Sequence, residues 1–566
     1  MPRKSKWTVP VPEVSLVTYT LGPAGASLGK HENELAYADA DKPDTHFLTW
    51  GSFRLWSQRF AVGLIAAGLK PGDRVVTFTP NDVFYPVLYM GICMAGGRFS
   101  PANARFLPSE LAYQLKVVGA KFVLASDENV AGAVEAAGIV GLGKESIFVF
   151  NDAPLEKDGG GADDVERGVR HWKHLLVSKE EGAKFVWDDL KGEAAKSTTS
   201  ALVMSSGTTG LPKAVDISHY ALVANNAQTD YVMNLDPNLA TRELSSRNSR
   251  WLCCIPMYHG LGLVYFTQIS ALRRVPTYIM RQFDLNRMLD HIQRFKITEL
   301  HLVPPILIGM TKHPRVRSGK YDISTVTKTF SCAAPLGPEP TRQYEALWPK
   351  GVMNVKQGLA SSESACSTIG WDPTVEAVPG SVGELMPNCE MKLVDDDGVE
   401  VPQGQPGEIW VRSPNVMSQY WENPKATAES LTKDGWLVTG DVATVDANGY
   451  YYVVDRKKEM IKVKGVQVAP AELEAILLDH PKVLDAAVIG IKKGEDEAPR
   501  AYIVPDPSTT LTDREVMEYM DGKVSTIKKL TGGIVFTDVI PKAPSGKILR
   551  RILREKAAKE SKTSKL

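Results

Sequence analysis

The sequence has few cysteines and no apolar run long enough to cross a membrane. Its six cysteines among 566 residues show no Cys-x-x-Cys spacing, which argues against a disulfide framework and against a cysteine-ligated metal. They lie inside apolar segments, so we expect them to be buried and reduced. No run of about 18 apolar residues occurs, and no apolar signal core follows the first residues. We therefore expect no transmembrane segment and no secretion.

The chain also has no excess of charge of either sign. Lysine plus arginine and aspartate plus glutamate number 66 each, so the formal net charge is zero. This balance argues against nucleic acid as a partner and favours small ligands. The length of 566 residues exceeds what one hydrophobic core normally organises, so at least two domains are expected.

The strongest chemical signal is the stretch SSGTTGLPK at residues 205–213. Six of these nine residues are Ser, Thr or Gly, and a lysine closes the stretch. The apolar segment 200–204 before it predicts a short buried strand, so backbone N–H groups and hydroxyls would lie at the strand's end. Such a loop can bind a polyphosphate, with Lys213 adding positive charge. A flexible linker is the alternative, but a linker needs neither the strand nor the lysine. The spacing is not that of the Walker loop.

Helical and strand patterns alternate over residues 48–126. The spacing predicts a helix over 54–68, a strand over 75–78 and a further helix over 83–95. This alternation predicts a parallel sheet covered by helices. The glycine-rich, charged segment 151–189 predicts a surface excursion.

The stretch SSGTTGLPK resembles the phosphate loop of the adenylate-forming superfamily, which includes acyl-CoA synthetases, 4-coumarate-CoA ligases, luciferases and peptide-synthetase adenylation domains. One departure is Ala214, where the family usually has glycine, and a methyl group is tolerable there unless a positive φ is required. The resemblance implies an α/β fold. It implies a large N-terminal AMP-binding domain of parallel-type sheets with helices over residues 1–457, and a small mobile α+β lid domain over residues 458–566.

Further motifs similar to those of the family are implied to bind ATP. Residues 331–337 (SCAAPLG) resemble the adenine-side loop, and residues 357–363 (QGLASSE) resemble the motif that supplies a Mg²⁺ carboxylate, here Glu363. In the second motif Leu359 replaces an aromatic that stacks on adenine. Asp441 is implied to receive the ribose hydroxyls. The implied cofactor-binding residues are Ser205, Ser206, Gly207, Thr208, Thr209, Gly210, Lys213, Ala333, Ala334, Gly358, Leu359, Ser362, Asp441, Arg456, Lys464 and Gly465.

The stretch IPMYHGLG at residues 255–262 matches a family motif that borders the acyl pocket. By itself, a lone histidine beside apolar residues is more often a core residue. The resemblance implies that His259 helps to orient the substrate carboxylate. Residues 260–266 contain no carboxylate, whereas amino-acid adenylation domains place an Asp there, so an acid without an α-ammonium group is expected. The implied substrate pocket comprises Tyr258, His259, Gly262, Cys332, Gly358 and Cys366.

A cationic segment at residues 455–467 precedes the implied lid. It holds five Lys or Arg among thirteen residues, and a solvated basic strand is the alternative reading. The resemblance implies that Arg456 meets ribose or phosphate, that Lys458 is the interdomain hinge, and that Lys462 and Gln467 approach the reacting acyl phosphate.

The last hundred residues predict a small domain with a helix over 471–478, a strand over 486–490 and a charged helix over 513–529. Lys547 lies on a Pro/Ser/Gly turn near the end of this domain. Such a turn suits a charged side chain that moves. In the superfamily this lysine neutralises the charge that develops when a carboxylate attacks ATP. Lys547 is therefore the implied principal catalytic residue.

The resemblance implies an acid:CoA ligase that uses ATP, Mg²⁺ and coenzyme A to convert an apolar aryl or fatty acid to acyl-CoA through acyl-AMP. The chemistry is mostly charge stabilisation at phosphorus. A luciferase-like monooxygenase and a stand-alone adenylating enzyme for another acceptor stay open as alternatives. A binding pseudoenzyme would normally lack Lys547 or Glu363, and a peptide-synthetase module would need a carrier domain after the lid.

The final residues Ser564, Lys565 and Leu566 form the address that the peroxisomal import receptor reads. A chance ending of a basic tail is the alternative. We expect a peroxisomal location.

Overall fold

The protein is described by a computed structural model. It describes residues 2–155, 161–205, 211–235, 248–463, 466–493, 496–542 and 547–563, with side chains to residue 560. The fold is α/β, as expected, with two large mainly parallel sheets, smaller antiparallel sheets and an α+β C-terminal part. Within the described ranges, no helix combines the length and apolarity that crossing a membrane requires.

The first large sheet has eight strands in the described chain. Six run parallel, and the last two, at one edge, are antiparallel to their neighbours. In spatial order the strands are Arg170–His171, Ile147–Phe150, Ala120–Ser126, Arg74–Phe78, Arg98–Pro101, Thr199–Ser205, Lys213–Ser218 and Gln419–Tyr420. The helices of this half are Leu16–Leu21, Trp50–Ala66, Tyr85–Met94, Pro108–Val118, Val130–Val140, Lys179–Ala183, Glu193–Ser197 and His219–Met233.

The second large sheet has seven described strands, of which only the edge strand Phe47–Thr49 is antiparallel to its neighbour. In spatial order they are Val355–Gln357, Lys328–Ser331, Glu299–Leu302, Trp251–Cys253, Thr277–Ile279, Leu35–Asp39 and Phe47–Thr49. The helices between them are Gly260–Val264, the π-helix Tyr265–Ile269, Ser270–Arg273, Leu285–Phe295, Pro304–Lys312, Pro314–Arg317 and Pro338–Glu345.

Two antiparallel sheets complete the N-terminal part, and the sequence did not predict them. One consists of Arg3–Lys4, Glu390–Val394, Gly407–Arg412, Leu437–Val445 and Tyr451–Arg456. The other consists of Leu359–Ser361, Cys366–Gly370 and Glu384–Leu385, and the helix Pro424–Ser430 lies nearby in the chain.

The C-terminal part has apolar clusters of its own, separate from those of the large sheets. Its elements are the hairpin Ile461–Val463 with Val466–Val468, the strands Val483–Lys493, Asp496–Pro505 and Ile534–Phe536, and the helices Pro470–Leu478, Asp513–Met520 and Arg550–Thr563. A separate core supports an independent lid, and the boundary at residue 457 stays a prediction. The helix expected over 513–529 ends at Met520, because the chain then turns through Gly522 at φ 83°.

The expected alternation of helices and strands in the first part of the chain is confirmed. The expectation of a surface excursion at 151–189 is wrong for its aromatic residues. Trp172 is fully buried and its ring packs on Phe60, Phe84 and Phe150, with ring centroids 5.1–5.7 Å away. Trp187 is also buried. This segment is rich in charged residues and glycine, so the sequence pattern did not indicate that its tryptophans join the core. All six cysteines are buried and free, as expected.

Candidate active site

The structure brings the predicted catalytic lysine to two predicted ligand carboxylates from distant parts of the chain. Lys547, at the end of the lid, is half-buried, and the charges of Asp441 and Glu363 act on it. Burial lowers the pKa of Lys547, Arg456 lowers it further, and the two carboxylates oppose the shift. The lid is therefore oriented with its lysine turned into the N-terminal part.

Asp441 and Arg456 form an ion pair at the centre of this cluster. They are register partners on the antiparallel strands Leu437–Val445 and Tyr451–Arg456, and Arg456 Nε lies 2.6 Å from Asp441 Oδ1. Burial raises the pKa of Asp441, while Arg456 and Lys547 act in the opposite direction. The ion pair with Arg456 holds the Asp441 carboxylate in place, and the charge of Lys547 acts on the same carboxylate.

Glu363 is held by a residue that the sequence did not single out. The Tyr420 hydroxyl donates a hydrogen bond to Glu363 Oε1 at 2.9 Å, and Lys213 Nζ lies 4.6 Å from the centroid of the Tyr420 ring. Burial and the charge of Glu363 raise the pKa of Tyr420, so the phenol stays protonated and remains a donor. No sequence spacing links position 420 with 363 or 213, since only strand pairing at the sheet edge brings them together.

The predicted phosphate loop begins and ends on paired strands. Ser205 and Lys213 are register partners, and Ser205 Oγ is buried without a hydrogen bond in the described part of the chain. The predicted ligands Ser206, Gly207, Thr208, Thr209 and Gly210 lie outside the described residues. Ala214 lies buried within the strand Lys213–Ser218 and does not have a positive φ, so its methyl group is tolerated.

The two predicted nucleotide loops of the second sheet are bonded to each other. The Leu336 N–H donates to Gln357 Oε1 at 2.9 Å, and Gln357 Nε2 donates back to the Leu336 carbonyl at 3.0 Å. Ala333 is exposed at φ 78°, the left-handed region that favours glycine. Ala334, Leu359 and Ser362 are half-buried nearby in the same loops, so this edge offers small or apolar side chains, suited to a flat base.

Tyr258 and His259 lie just before the helix Gly260–Val264, with ring centroids 4.7 Å apart. Burial lowers the pKa of His259 to about 4, so the ring is neutral at neutral pH, and its Nε2 has no hydrogen-bond partner among the described residues. A side chain at Gly262 would lie 2.2 Å from the Pro256 carbonyl. Close helix packing therefore accounts for this glycine, and its role in the pocket stays a prediction.

A cavity of about 930 Å³ adjoins the predicted acyl pocket. Phe330 and Tyr265 line it, stacked with centroids 5.8 Å apart. A side chain at Gly358 would lie 2.6 Å from the Phe330 ring, so that ring lies directly against Gly358. Cys332 Sγ lies 3.4 Å from the Gly358 carbonyl oxygen, and Cys366 precedes the lining residue Ser367. Of the predicted pocket residues, Gly358, Cys332 and Cys366 thus lie behind the cavity wall.

The basic hairpin of the lid lies apart from this cluster. Lys462 and Gln467 are register partners with exposed side chains, and Lys462 acts on the exposed carboxylate of Asp396. Lys458 is exposed in the turn that follows Tyr451–Arg456. The predicted ligands Lys464 and Gly465 lie outside the described residues. A rigid lid presents one face at a time, and here that face carries Lys547.

Comparison with known proteins gives consistent matches along the chain. The family model "AMP-binding enzyme" matches residues 26–421, and "AMP-binding enzyme C-terminal domain" matches residues 472–547. Acyl-CoA synthetase ACTT5 of Alternaria alternata is 36% identical over 515 residues, 89% of this chain and 85% of that protein. 4-Coumarate–CoA ligase 5 of Oryza sativa subsp. japonica is 36% identical over 516 residues, 90% of each chain. The crystal structure of ATP-bound MatB from Rhodopseudomonas palustris has a TM-score of 0.79 at 25% identity, covering 96% of this chain and 98% of that one.

Proposed function

The chain belongs to the AMP-binding enzyme family, as an AMP-forming ligase of the acyl-CoA synthetase type, and we propose that it joins an apolar carboxylic acid to coenzyme A through an acyl-AMP intermediate. The observation that carries the proposal is that the charges of Asp441 and Glu363 act on Lys547. A lysine of the lid and two carboxylates of the N-terminal part are thus within electrostatic reach of each other, which supports a shared site.

In the first step a carboxylate oxygen of the acid attacks the α-phosphorus of ATP. A P–O bond forms to the acid, the bond to the β-phosphate oxygen breaks, and pyrophosphate leaves. Lys547 stabilises the negative charge that develops on the transferring group, while Asp441 accepts hydrogen bonds from the ribose hydroxyls. The ring of His259 is neutral, so it orients the acid without forming an ion pair with the carboxylate.

The residues present fit a Mg²⁺ ion that is held partly by substrate. Glu363 offers a carboxylate whose other contact, the Tyr420 hydroxyl, is a hydrogen-bond donor. In the described chain no group of three or more His, Cys, Asp or Glu side chains could hold a metal by itself. Mg²⁺ is commonly bound by one or two carboxylates together with phosphate oxygens. When bound, the ion would neutralise phosphate charge.

In the second step the thiol of coenzyme A loses its proton to water and the sulfur attacks the acyl carbonyl. A C–S bond forms, the bond from the acyl carbon to the phosphate oxygen of AMP breaks, and AMP leaves. Lys462 and Gln467 are remote in the orientation described here, so we propose that the lid rotates about Lys458 to bring them in. This role is proposed from the resemblance to the family, and Lys458 lies exposed in the turn that follows Tyr451–Arg456.

The acid is proposed to be long or bulky and apolar. A volume of about 930 Å³ lies at the large end of ligand pockets. We further propose that Ser564, Lys565 and Leu566, which lie outside the described residues, direct the protein to peroxisomes.

A screen of acids tests the proposal on the full chain. Cinnamic, arylacetic and C6 to C16 fatty acids are incubated with ATP and Mg²⁺, with and without coenzyme A, and pyrophosphate and thioester are measured separately. We expect pyrophosphate release and thioester formation with a subset of these acids. Acyl-AMP without any coenzyme A product would instead identify a stand-alone adenylating enzyme, and light with CO₂ release a luciferase-like one.

A further inference from the structure

The lid is bonded to the N-terminal part at a lysine that lies outside the sequence motifs. Lys312, the last residue of the helix Pro304–Lys312, is half-buried, and its Nζ donates a hydrogen bond to the backbone carbonyl of Val483 at 3.0 Å. Val483 begins the strand Val483–Lys493 of the lid. The bond therefore joins two parts of the molecule that have separate apolar clusters.

The lid also supplies negative charge to this amine. Burial lowers the pKa of Lys312, and the carboxylates of Asp485 and Asp506 in the lid act in the opposite direction. Arg317, in the N-terminal part, lowers the pKa further. An ammonium group that loses water is costly unless other groups replace it, and the carbonyl and carboxylates that do so here belong to the lid. The contact therefore favours the orientation described here, which we call docked, over a lid turned away.

Another contact between the lid and the N-terminal part is made by small residues. Ala475 of the lid helix Pro470–Leu478 lies against Gly337, which precedes the helix Pro338–Glu345, and a Cβ at Gly337 would lie 3.7 Å from the Ala475 Cβ. Packing between small residues fixes no angle by itself. A hydrogen bond depends on direction, so the bond from Lys312 adds an orientation to the docked lid.

We propose that Lys312 is a positioning residue for the first step, because its bond to the Val483 carbonyl holds the lid docked, with Lys547 turned towards the proposed nucleotide site. The bond breaks when the lid rotates for the second step. Its removal therefore shifts the population of lid orientations away from the docked one and slows adenylation alone. The inference rests on the proposed ligase function.

An engineered disulfide at the contact of Gly337 with Ala475 reports the position of the lid without any catalysis. The Cβ separation of 3.7 Å lies within the range of natural disulfides, and Gly337 has a φ of −63°, which cysteine readily adopts. The double variant Gly337→Cys with Ala475→Cys is treated with copper phenanthroline, and closure of the bond is followed by mass spectrometry after alkylation. The six native cysteines are buried, so they compete little for the oxidant.

Matched lysine variants of the full chain test the bond itself. Lys312→Met removes the charge and the donor with little change of length, whereas Lys312→Arg keeps both. Lys320→Met removes an exposed lysine of the same part and is the control. Disulfide closure is measured with the cysteine pair present. Without that pair, pyrophosphate release from ATP and acid, and thioester formation from supplied acyl-AMP and coenzyme A, measure the two half-reactions.

We expect Lys312→Met to slow both disulfide closure and pyrophosphate release by about tenfold, the size of effect that one hydrogen bond from a charged group can have. Thioester formation from supplied acyl-AMP should be unchanged or faster, because that step does not use the docked lid in the proposed mechanism. Lys312→Arg should restore most of the disulfide closure and pyrophosphate release, and Lys320→Met should match the wild type in all three measurements.

Unchanged disulfide closure or unchanged pyrophosphate release in Lys312→Met would overturn the inference while leaving the ligase function intact. Equal slowing of both half-reactions would also overturn it, because Lys312 would then have a general structural role. So would the absence of disulfide closure in the chain with the cysteine pair and Lys312, since the docked lid would not be populated. If Lys312→Met fails to fold, Lys312→Gln gives the same comparison. Absence of pyrophosphate release from the wild type with every acid would instead refute the ligase function itself.

Discussion

Arg456 Nε lies 2.6 Å from Asp441 Oδ1, and Lys547 of the lid acts on the same carboxylate. The pair comes from adjacent strands of the N-terminal part, whereas Lys547 arrives some ninety residues later in the chain. The lid therefore turns Lys547, the proposed catalytic lysine, towards the proposed nucleotide site. We propose that this orientation serves adenylation.

Lys547→Ala should slow acyl-AMP formation severely. The lost charge stabilisation is about 2.7 to 4 kcal/mol if the lysine counts like one oxyanion-hole donor, or roughly 10² to 10³ in rate. The same variant should still convert supplied acyl-AMP and coenzyme A to thioester, because in the proposed mechanism that step uses the other lid face. Pyrophosphate release and thioester absorbance measure the two steps. Lys542→Ala, which removes a cation paired with Asp485 within the lid, is the control. Equal slowing of both steps by Lys547→Ala would contradict the two-face lid.

The pH dependence of adenylation should report the titration of Lys547. Burial lowers the pKa of Lys547 below its ordinary 10.5, and the charged form is lost as the pH rises through that lowered value. The alkaline fall of kcat/KM for ATP should therefore begin at a lower pH than for an exposed lysine, since kcat/KM reports the free enzyme. Lys547→Arg should remove this fall, because a guanidinium stays charged. A wild-type profile that stays flat to pH 10.5 would show that the charge of Lys547 is not required.

Lys458→Pro should have the opposite effect to Lys547→Ala on the two half-reactions. Proline fixes φ near −65° and so hinders rotation at the hinge. We expect near-normal pyrophosphate release and thioester formation slowed by roughly tenfold or more if rotation becomes limiting. Lys457→Ala, next to the hinge but without a fixed φ, is the control. Normal rates for both steps would exclude a hinge at this position.

Glu363→Gln should raise the Mg²⁺ concentration needed for adenylation. The amide keeps the shape of the side chain and can still accept the Tyr420 hydrogen bond, but it lacks the negative charge that holds the ion. We expect the rate curve against Mg²⁺ to shift by about tenfold or more. Glu345→Gln, at the cavity lining, should leave the curve in place. Superimposed wild-type and Glu363→Gln curves would show that Glu363 is not a ligand.

Arg550→Ala should destabilise the lid, because Arg550 Nη2 lies 2.7 Å from both carboxylate oxygens of Glu474 in a largely buried pair. Breaking such a pair costs about 3 kcal/mol, since one charge stays buried without a partner. Hydrogen exchange in the strand Val483–Lys493 should accelerate accordingly. Arg551→Ala removes an exposed ion pair with Glu555. It should change the free energy of opening, as hydrogen exchange reports it, by less than about 0.5 kcal/mol. Equal effects of the two variants would show that the buried pair does not hold the lid.

Local patterns in the sequence were sufficient for the α/β class, for the strand before the phosphate loop and for the helix Pro470–Leu478. Each of these depends on the spacing of apolar residues within about ten positions, which one segment encodes by itself. The motifs that end in Lys213, Glu363 and Asp441 could be identified from the sequence for the same reason, because each lies within one short stretch. Two predictions were wrong. The helix does not continue beyond Met520, because a turn ends it. The segment around Trp172 is not wholly at the surface, because Trp172 packs into an aromatic cluster from distant parts of the chain.

The tertiary structure alone decided which of these groups meet. Tyr420 reaches Glu363 only because a two-residue strand joins the edge of the eight-stranded sheet, and no periodicity marks it. Thr229 lies in the helix His219–Met233, His301 in the strand Glu299–Leu302, and Trp371 directly after the strand Cys366–Gly370, so the cavity that they share cannot be inferred from the chain order. The orientation that places Lys547, and not Lys462, near Asp441 depends on the docking of two domains. Sequence determines such contacts through packing over the whole molecule, and packing between distant segments leaves no short-range pattern to read.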